Sequence, residues 1–402
     1  MPSFKTQDTK VGENPKTMST ETLAPPKLSP PKTKTQLLRS YDVADFPALT
    51  GREEEWRFTP LPGLGELAKA TEAVDGAASW SAVLNDVPGT RLDHIARGDA
   101  RLGSVLTPFD RVSALAFGAF DRATLIQVDK GAVLAEPAVA TFSANGTQTG
   151  FGHTFIEIGE QAEGTLVLEY TGSATIADNV EVSVGDGAKL TLVTVTDWAA
   201  DTVQAQHLKF RLGQGARVTH IQVTLGGKLV RQYTSVDYAG PGGDADLWGI
   251  YFAGAGQHFE HRLLVDHAVP DCRSYVGFRG ALQGQGAHTV WVGDVLIRAE
   301  ATGTQTYEIN RNLVLSDGAR ADSIPNLEIE TGDVLGAGHA SATGRFDDEQ
   351  LFYLMARGIP DAEARKLVVR GFFGELIAKI PLESLRDRLT GAIEERLAVS
   401  GV

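Results

Sequence analysis

The sequence predicts a mainly β protein whose centre is a β-solenoid, with a small α/β segment before it and helices after it. Three observations support this prediction. Alternating apolar and polar runs fill the middle of the chain, glycine turns recur there at spacings of about 30 residues, and a helical pattern follows. We therefore expect a basic disordered tail over 1–40, an α/β domain over 41–140, the solenoid over 141–338 and a helical domain over 339–402.

The predicted strands of the solenoid are recognised by a period of two. Between residues 141 and 335, short alternating runs follow one another without a helical pattern of any length. They include NVEVSV, LTLVTV, HLKFRL, HIQVTL and LWGIYF. Successive side chains of a strand point to opposite faces, so this alternation is typical of β-strands.

A glycine-containing repeat indicates that these strands wind into coils. VGDGAKLTLVTV (184–195) aligns with LGQGARVTHIQV (212–223), so that Lys189 falls on Arg217. Each aligned segment begins with a turn that contains two glycines. The second glycine of this turn recurs at residues 187, 215, 256, 286 and 318, with spacings of 28, 41, 30 and 32. A turn glycine that returns in this way is typical of a solenoid, in which each coil packs against its neighbours. Gly-x-Gly turns also occur in other all-β proteins, which leaves a non-repetitive β fold as the alternative.

The residues before the solenoid fall into two parts. Residues 1–40 contain seven Lys or Arg against three Asp or Glu, are rich in Pro and Thr, and have few aromatic residues. Such a segment cannot bury enough apolar surface to become ordered, so we expect a disordered tail rather than a transit peptide. In the following part, SALAFGAF (113–120) predicts a helix, and ATLIQVDKGAVLAEP (123–137) predicts two strands around Asp129-Lys130-Gly131.

Charge and composition exclude several classes of function. The chain has 37 basic and 51 acidic residues, a formal net charge of −14, which disfavours nucleic acid and anionic membranes as partners. No stretch approaches the ~18 consecutive apolar residues of a membrane helix, and no signal peptide is recognised. The single cysteine, Cys272, suits a reducing compartment, so we expect a cytoplasmic protein.

Three helices are predicted after the solenoid, starting near Asp347 or Asp348, near Pro360 and near Pro381. Apolar residues recur in each at the spacing of one helix face. They are Leu351, Leu354 and Met355 in the first; Ala364, Leu367, Val368, Gly371 and Phe372 in the second; and Leu382, Leu385, Leu389, Ile393 and Leu397 in the third. Such stripes pack on the protein's own core or serve as docking surfaces, and spacing alone does not decide between the two.

The segment HFEHRLLVDH (258–267) contains three histidines. On a strand, His258 and Glu260 share one face, whereas His261 points to the other. His258 and His288 occupy the same position in the repeat, so they could stack on adjacent coils and bind a metal, although polar ladders are commoner. The chain has neither the His-x-His pair of a cupin metalloenzyme nor a Gly-x4-Gly-Lys-Ser/Thr phosphate loop.

Two further candidates carry less weight. Cys272 has no neighbouring base or positive charge in VPDCRSY that would activate it, so we expect a small turn residue rather than a nucleophile. Glu328 and Glu330 lie two residues apart, a spacing that allows acid–base chemistry on one strand face. A stand-alone β-solenoid enzyme acting on carbohydrate would use such a pair, but the lack of a secretion signal and the scarcity of surface aromatic residues argue against it.

His339 lies in TGDVLGAGHASATG (331–344), a run of glycine, alanine and small hydroxyl residues. A histidine in this setting can be a ligand, a base or a residue tolerated in a turn. We expect Gly332, Gly336 and Gly338 to permit a bend before the helices.

A long C-terminal run carries a resemblance to a known family. NRNLVLSDGARADSIPNLEIETGDVLGAGHASATGRFDDEQLFYLMARGI is similar to the C-terminal signature of the SufB/SufD family, scaffold subunits of the SUF iron–sulfur cluster assembly machine. The similarity extends to EEWRFTPL, GAVLAEP and the His267-x-x-Pro270 segment, and spans about residues 50 to 380. The matching C-terminal positions are Asn312-Leu313, Pro325, Leu327-Glu328-Ile329, His339, Gly344, Glu349-Gln350-Leu351 and Arg357-Gly358-Ile359.

The resemblance implies a right-handed parallel β-helix and a non-catalytic scaffold subunit in a complex with a SufB-type subunit and a SufC-type ATPase. SufB and SufD types pair through their β-helices, and each holds one ATPase through its C-terminal helices, which corresponds here to residues 348–380. The expected ATPase-docking residues are Leu351, Phe352, Leu354, Arg357, Gly358, Ile359, Leu367 and Phe372.

The resemblance also implies a role for His339. SufB-type chains supply the thiolates of a nascent iron–sulfur cluster, and a chain with Cys272 alone cannot hold four of them. A SufD-type subunit is therefore favoured, with a SufB-like core subunit as the alternative. SufD-type chains carry a Cys-Ser-His triplet where this chain has Ala337-Gly338-His339. We expect His339 to be a ligand of a nascent cluster shared with the SufB-type partner, with no cofactor tightly bound by this chain alone.

Overall fold

Parallel strands wind into a β-solenoid of about eight turns, with helices after it, which confirms the predicted fold class. The computed structural model describes residues 37–70 and 80–399. The described residues from Leu38 onward form one compact unit. Residues 1–36 of the predicted tail lie outside the described residues. The domain limits at residues 41, 141 and 339 stay a prediction.

The coils contribute strands to two parallel sheets. β4 (Ala138–Ile158) and β5 (Glu163–Val184) each run through both sheets. The even sheet then contains β6 (Lys189–Trp198), β8 (Arg217–Thr224), β10 (Asp244–Ala253), β12 (Arg273–Leu282), β14 (Thr304–Val314) and β16 (Val334–Gly344). The odd sheet contains β7 (Val203–Leu212), β9 (Leu229–Tyr238), β11 (His258–His267), β13 (His288–Ile297) and β15 (Arg320–Ile329).

The predicted repeat corresponds to the coils. Lys189 and Arg217 are register partners in the neighbouring strands β6 and β8. The five recurring glycines all have φ between +63° and +79°, a region in which a residue with a Cβ is strained. One detail of the repeat was wrong. The spacing of 41 is not a longer coil, because Gly215 precedes an even strand whereas Gly256 precedes an odd strand, about one and a half coils later.

The N-terminal part covers the outer face of the odd sheet. It contains α1 (Leu61–Leu64), β1 (Trp80–Leu84), β2 (Thr90–Ala96), α2 (Arg111–Ala119) and β3 (Arg122–Val128). Trp56 and Leu115 belong to the same buried cluster as Val203 of β7 and Leu229 of β9. Because this layer lies outside and the coil interior lies inside, every residue of β11 is buried.

Two predictions for the N-terminal part have different outcomes. The helix predicted over 113–120 forms as α2, and a capping box between Asp110 and Ser113 fixes its start. The first predicted strand forms as β3. The second does not form, since only a single bridge joins Val133 to Glu163. Pro137 has no N–H group with which to extend that ladder.

Helices cover the outer face of the even sheet. They are α4 (Asp361–Ile377) and α5 (Glu383–Val399), and α3 (Asp348–Ala356), which precedes them, packs against α4. The predicted stripe of α5 packs against Val193, Ile221 and Ile250 of the even sheet, with Leu385, Leu389, Ile393 and Leu397 buried and Leu382 packed beside them. Within the described residues, none of the helices is long and apolar enough to cross a membrane.

The predicted apolar face of α4 needs correction. The side chains that α4 buries are Ala364, Val369, Phe373, Leu376 and Ile377. Of the predicted face only Ala364 is buried, and Leu367 and Gly371 are exposed. The helix is apolar around much of its circumference, so spacing alone could not show which side packs on the sheet.

Candidate functional site

The solenoid ends in two strands with a free edge. Among the described strands, β16 pairs only with β14, and β15 pairs only with β13. Their outer edges therefore present unpaired backbone N–H and C=O groups. Pro325 in β15 fits this position, because proline is tolerated on an edge strand. We call this surface, residues 320–344, the open end.

His339 lies on β16 at the open end, and 43% of its side chain is exposed. It is the register partner of Glu308 on β14, and its Nδ1 atom lies 3.8 Å from Oε1 of Glu308. Gly338 lies against Tyr307, since a Cβ there would come within 3.1 Å of the Tyr307 ring. The small neighbours of His339 thus leave its imidazole accessible from the open end.

The expected bend is present at only one of the three glycines. Gly332 lies in a bend between β15 and β16, whereas Gly336 and Gly338 lie inside β16 and neither has a positive φ. The irregularity is a register shift between Thr304 and Gln305 on the neighbouring strand. β16 continues to Gly344, so the chain leaves the sheet only after the small residues that follow His339.

Glu308 was not singled out in the sequence, although its burial is the most unusual feature near His339. Its side chain is 1% exposed, and neither carboxylate oxygen makes a hydrogen bond of normal geometry to the described residues. Burial raises the pKa of Glu308 to about 8, the charge of Asp294 adds to this, and the Asn326 backbone offsets only part of it. The signal in the sequence is the alternation of TQTYEINRN, which places Glu308 on one strand face with Thr306 and Asn310.

Polar side chains continue from Glu308 into the coil interior. Asn310 donates to the Tyr251 hydroxyl at 2.9 Å, and that hydroxyl donates to Asn312 at 2.6 Å. Ser323 of β15 donates to Asn310 at 2.8 Å. These side chains satisfy one another, so the last coils have a hydrogen-bonded polar interior in which the Glu308 carboxylate stands apart.

The second surface of interest lies on α3 and α4. The side chain of Phe352 is 69% exposed, and Tyr353, Met355 and Leu367 are also exposed large apolar residues. An adjoining groove of about 610 Å³ is lined by Leu354, Leu367, Val368 and Phe372 together with Arg279, Arg311 and Arg345. We call Phe352, Tyr353, Met355, Leu367 and this groove the helical surface.

The remaining predicted docking residues divide by burial. Leu351 is buried and holds α3 against the protein. Arg357, Gly358 and Ile359 form the end of α3, where Gly358 has φ of +87° and the Ile359 N–H bonds to the Leu354 carbonyl. This turn orients α3 relative to α4 and leaves Arg357 exposed.

Comparison with known proteins identifies the family. Residues 141–372 match the family model described as "SUF system FeS cluster assembly, SufBD core domain". An iron–sulfur cluster assembly SufBD family protein of Mycobacterium bovis is 53% identical over 374 residues, covering 91% of this chain and 94% of that protein. The chain belongs to the SufBD family.

Two further relatives place the chain within that family. A Mycobacterium leprae SufBD family protein is 50% identical and covers 91% of this chain and 95% of its own length. The iron–sulfur cluster assembly protein SufB of Bacillus subtilis is 27% identical, over 69% of this chain and 61% of that protein. This SufBD protein is therefore an iron–sulfur cluster assembly protein of the SUF system.

The paired histidines of this SufBD protein do not form a metal cage. His258 and His288 are register partners on β11 and β13, with ring centroids 4.8 Å apart and Nδ1 atoms 3.2 Å apart. The Nε2 atom of each ring faces a carboxylate. His288 Nε2 lies 2.7 Å from the Asp322 carboxylate, and His258 Nε2 lies 3.4 Å from the Glu260 carboxylate. Within the described residues, no group of three or more His, Cys, Asp or Glu side chains is placed to hold a metal ion.

Glu260 belongs to a buried ion network that anchors the N-terminal EEWRF segment. It contacts Arg262 at 2.6 Å and Arg231 at 3.5 Å, and Thr59 donates to it at 2.6 Å. Burial alone would raise the pKa of Glu260, but its hydrogen bonds and these cations hold the pKa well below its usual range. Arg231 also lies over the Trp56 ring at 3.8 Å. This family segment therefore has a structural role.

The other chemical candidates are not arranged for catalysis. Cys272 is buried in a turn, and burial raises the pKa of its thiol. Its sulfur lies 3.4 Å from the Pro270 carbonyl. Glu328 lies on β15, whereas Glu330 lies just beyond the end of that strand.

Proposed function

We propose that this SufBD protein is a SufD-type scaffold subunit. It would pair with a SufB-type subunit, bind a SufC-type ATPase and contribute His339 to a nascent iron–sulfur cluster. The observation that carries the proposal is the contrast between Cys272 and His339. The only cysteine, Cys272, is buried with a raised pKa, whereas His339 is accessible on a free-edged terminal strand. Such a chain can add an imidazole to a cluster but cannot supply its thiolates.

Pairing through the open end is supported by the free edges of β15 and β16. Unpaired edge strands readily add a further strand, so a soluble protein normally covers or blunts them. Leu335 of β16 is 77% exposed and adds apolar area to this surface. We propose that a SufB-type subunit covers the open end, in a permanent interface of more than ~2,000 Å² in total.

Docking of the ATPase is supported by the helical surface. α4 is already held on the even sheet by buried residues such as Phe373, and α3 is held by Leu351. The exposed side chains Phe352 and Leu367 are therefore not needed for folding. Exposed aromatic and apolar residues beside arginines are typical of protein interfaces. We propose that the SufC-type ATPase binds here, through those of the predicted docking residues that remain accessible.

Cluster binding would be shared between subunits. The cluster is cargo, and the thiolates would come from the SufB-type partner. A neutral imidazole nitrogen is a good ligand for iron, and His339 is placed where a covering partner would meet it. The subunit would act as a scaffold rather than as an enzyme.

Co-expression with SufB-type and SufC-type partners tests this function. We expect one stable complex in size-exclusion chromatography, which gains an iron–sulfur absorption band on anaerobic reconstitution. His339→Ala should leave the complex intact and lower the cluster yield, whereas His94→Ala, an exposed histidine on β2, should not. Absence of a complex would contradict the subunit role, and an undiminished yield with His339→Ala would contradict the ligand role.

A further inference from the structure

The side chain of Glu308 is costly to ionise where it lies. A buried carboxylate is normally paired with a cation or with several hydrogen-bond donors. No lysine or arginine of the described residues forms an ion pair with Glu308. Its titratable neighbours are His339 and Asp294, and the negative charge of Asp294 disfavours ionisation of Glu308. Replacing such a group by a neutral one would relieve this cost, so its presence calls for a functional reason.

The surroundings of Glu308 leave room for its carboxylate. A Cβ at Gly293 of β13 would lie 2.3 Å from Oε2 of Glu308, so any larger residue there would displace the carboxylate. The other oxygen, Oε1, faces Nδ1 of His339 across 3.8 Å. The carboxylate is thus held between the coil interior and the open end, with one oxygen directed at an accessible imidazole.

We propose that Glu308 and His339 together bind one divalent metal ion at the open end, with iron(II) as the ion supplied for cluster assembly. The remaining ligands would be water in the isolated subunit. This inference rests on the proposed function, and it adds to it a carboxylate ligand on this chain.

The chemistry of the pair suits such an ion. A carboxylate oxygen with an imidazole nitrogen favours borderline divalent ions such as Fe²⁺, Co²⁺, Mn²⁺ and Zn²⁺ over soft monovalent ones. Two ligands each ~2.1 Å from a metal at tetrahedral or octahedral angles lie about 3.0–3.4 Å apart. The observed 3.8 Å gap closes to that range with a shift of a few tenths of an ångström, which the half-exposed His339 side chain permits.

Equilibrium dialysis with Co²⁺ tests the site in the purified full chain, without partners. We expect one Co²⁺ per chain with the visible absorption of a nitrogen- and oxygen-ligated ion. Glu308→Gln and His339→Ala should each weaken binding about tenfold or more, because each removes one of two protein ligands. Glu330→Gln makes the same substitution at an exposed position of the open end and should leave binding unchanged.

The outcomes separate this site from the proposed function. Glu308→Gln is nearly isosteric and should not lower the midpoint of urea unfolding, so lost Co²⁺ binding would not reflect misfolding. If wild type binds no Co²⁺, or if Glu308→Gln binds it as tightly as wild type, the site is overturned.

Assembly with the SufB-type and SufC-type partners is measured in parallel for the Glu308→Gln chain, and the complex should form normally. A complex that fails to form with wild-type chain would instead contradict the subunit role.

Discussion

At the scale of single residues, the solenoid keeps several titratable side chains neutral inside its coils. Burial lowers the pKa of His220 to about 3, that of His261 to about 3 and that of His267 to about 4. Burial also raises the pKa of Asp178 to about 7, although Gln206 and Gln204 donate hydrogen bonds to it. In each case the charged form is disfavoured because the coil interior cannot solvate it as water does.

His220 gives a pH prediction with a definite sign. Its folded pKa lies below its unfolded value of ~6.5, so the unfolded chain binds the extra proton and stability is lost as the pH falls below that value. Between pH 7 and pH 5, wild type should lose about 2 kcal/mol more free energy of unfolding than His220→Gln. Urea unfolding at both pH values measures this difference.

The control for this prediction is His94→Gln, which changes an exposed histidine. It should follow the pH dependence of wild type. Parallel profiles for wild type and His220→Gln would show that His220 is protonated as easily in the folded protein as in the unfolded chain, contrary to its buried position against Thr194.

At the scale of secondary-structure elements, the three C-terminal helices use their apolar residues in two ways. Leu385 and Leu389 of α5 are buried against the even sheet. Phe352 of α3 and Leu367 of α4 are exposed instead. The first set stabilises the fold and the second is available to a partner, so substitutions in the two sets should have separable effects.

Phe352→Ala tests the second set. It should weaken binding of the SufC-type ATPase by about tenfold or more, because exposed aromatic side chains at an interface commonly contribute most of the binding energy. Its melting temperature should stay within error of wild type. Isothermal titration calorimetry with the ATPase measures the affinity.

A matched control is Val83→Ala, which shortens another exposed apolar side chain, on β1. Its ATPase affinity should equal that of wild type. If Phe352→Ala binds the ATPase as tightly as Val83→Ala does, the ATPase does not bind this part of the helical surface.

At the scale of the whole molecule, the two exposed edges of the solenoid lie at its open end. The N-terminal layer covers the odd sheet and the helices cover the even sheet. The lateral faces of the solenoid are therefore largely occupied by the chain itself. β15 and β16 remain without a further strand among the described residues, which leaves the open end for assembly.

Leu335→Asp tests assembly at the open end. A carboxylate on β16 would be buried without a partner in the proposed interface, so pairing with the SufB-type subunit should be lost. The isolated chain should fold normally, because Leu335 is already exposed. Size-exclusion chromatography of the co-expressed subunits measures pairing. The control is Val133→Asp, which changes an exposed residue far from Leu335 in the sequence and should leave pairing intact. If Leu335→Asp still pairs with the SufB-type subunit, the interface lies elsewhere.

The sequence by itself determined the solenoid, because its evidence is local and repeated. The period of two, the turn glycines and the alignment of Lys189 with Arg217 each depend on contacts within one coil or between neighbours. The stripe of α5 was predictable for the same reason. The family followed from a long, specific run of residues around His339.

Only the tertiary structure decided which faces are covered and which groups meet. The exposed side of α4 depends on how the helix packs on the even sheet, and its own spacing does not contain that information. The contact of Glu308 with His339 joins residues 31 positions apart across two strands, and its register is set by a shift near Thr304. Alternation places each residue on a strand face, but the strand register and the surrounding coils determine whether a carboxylate on that face is solvated, paired or left alone beside a histidine.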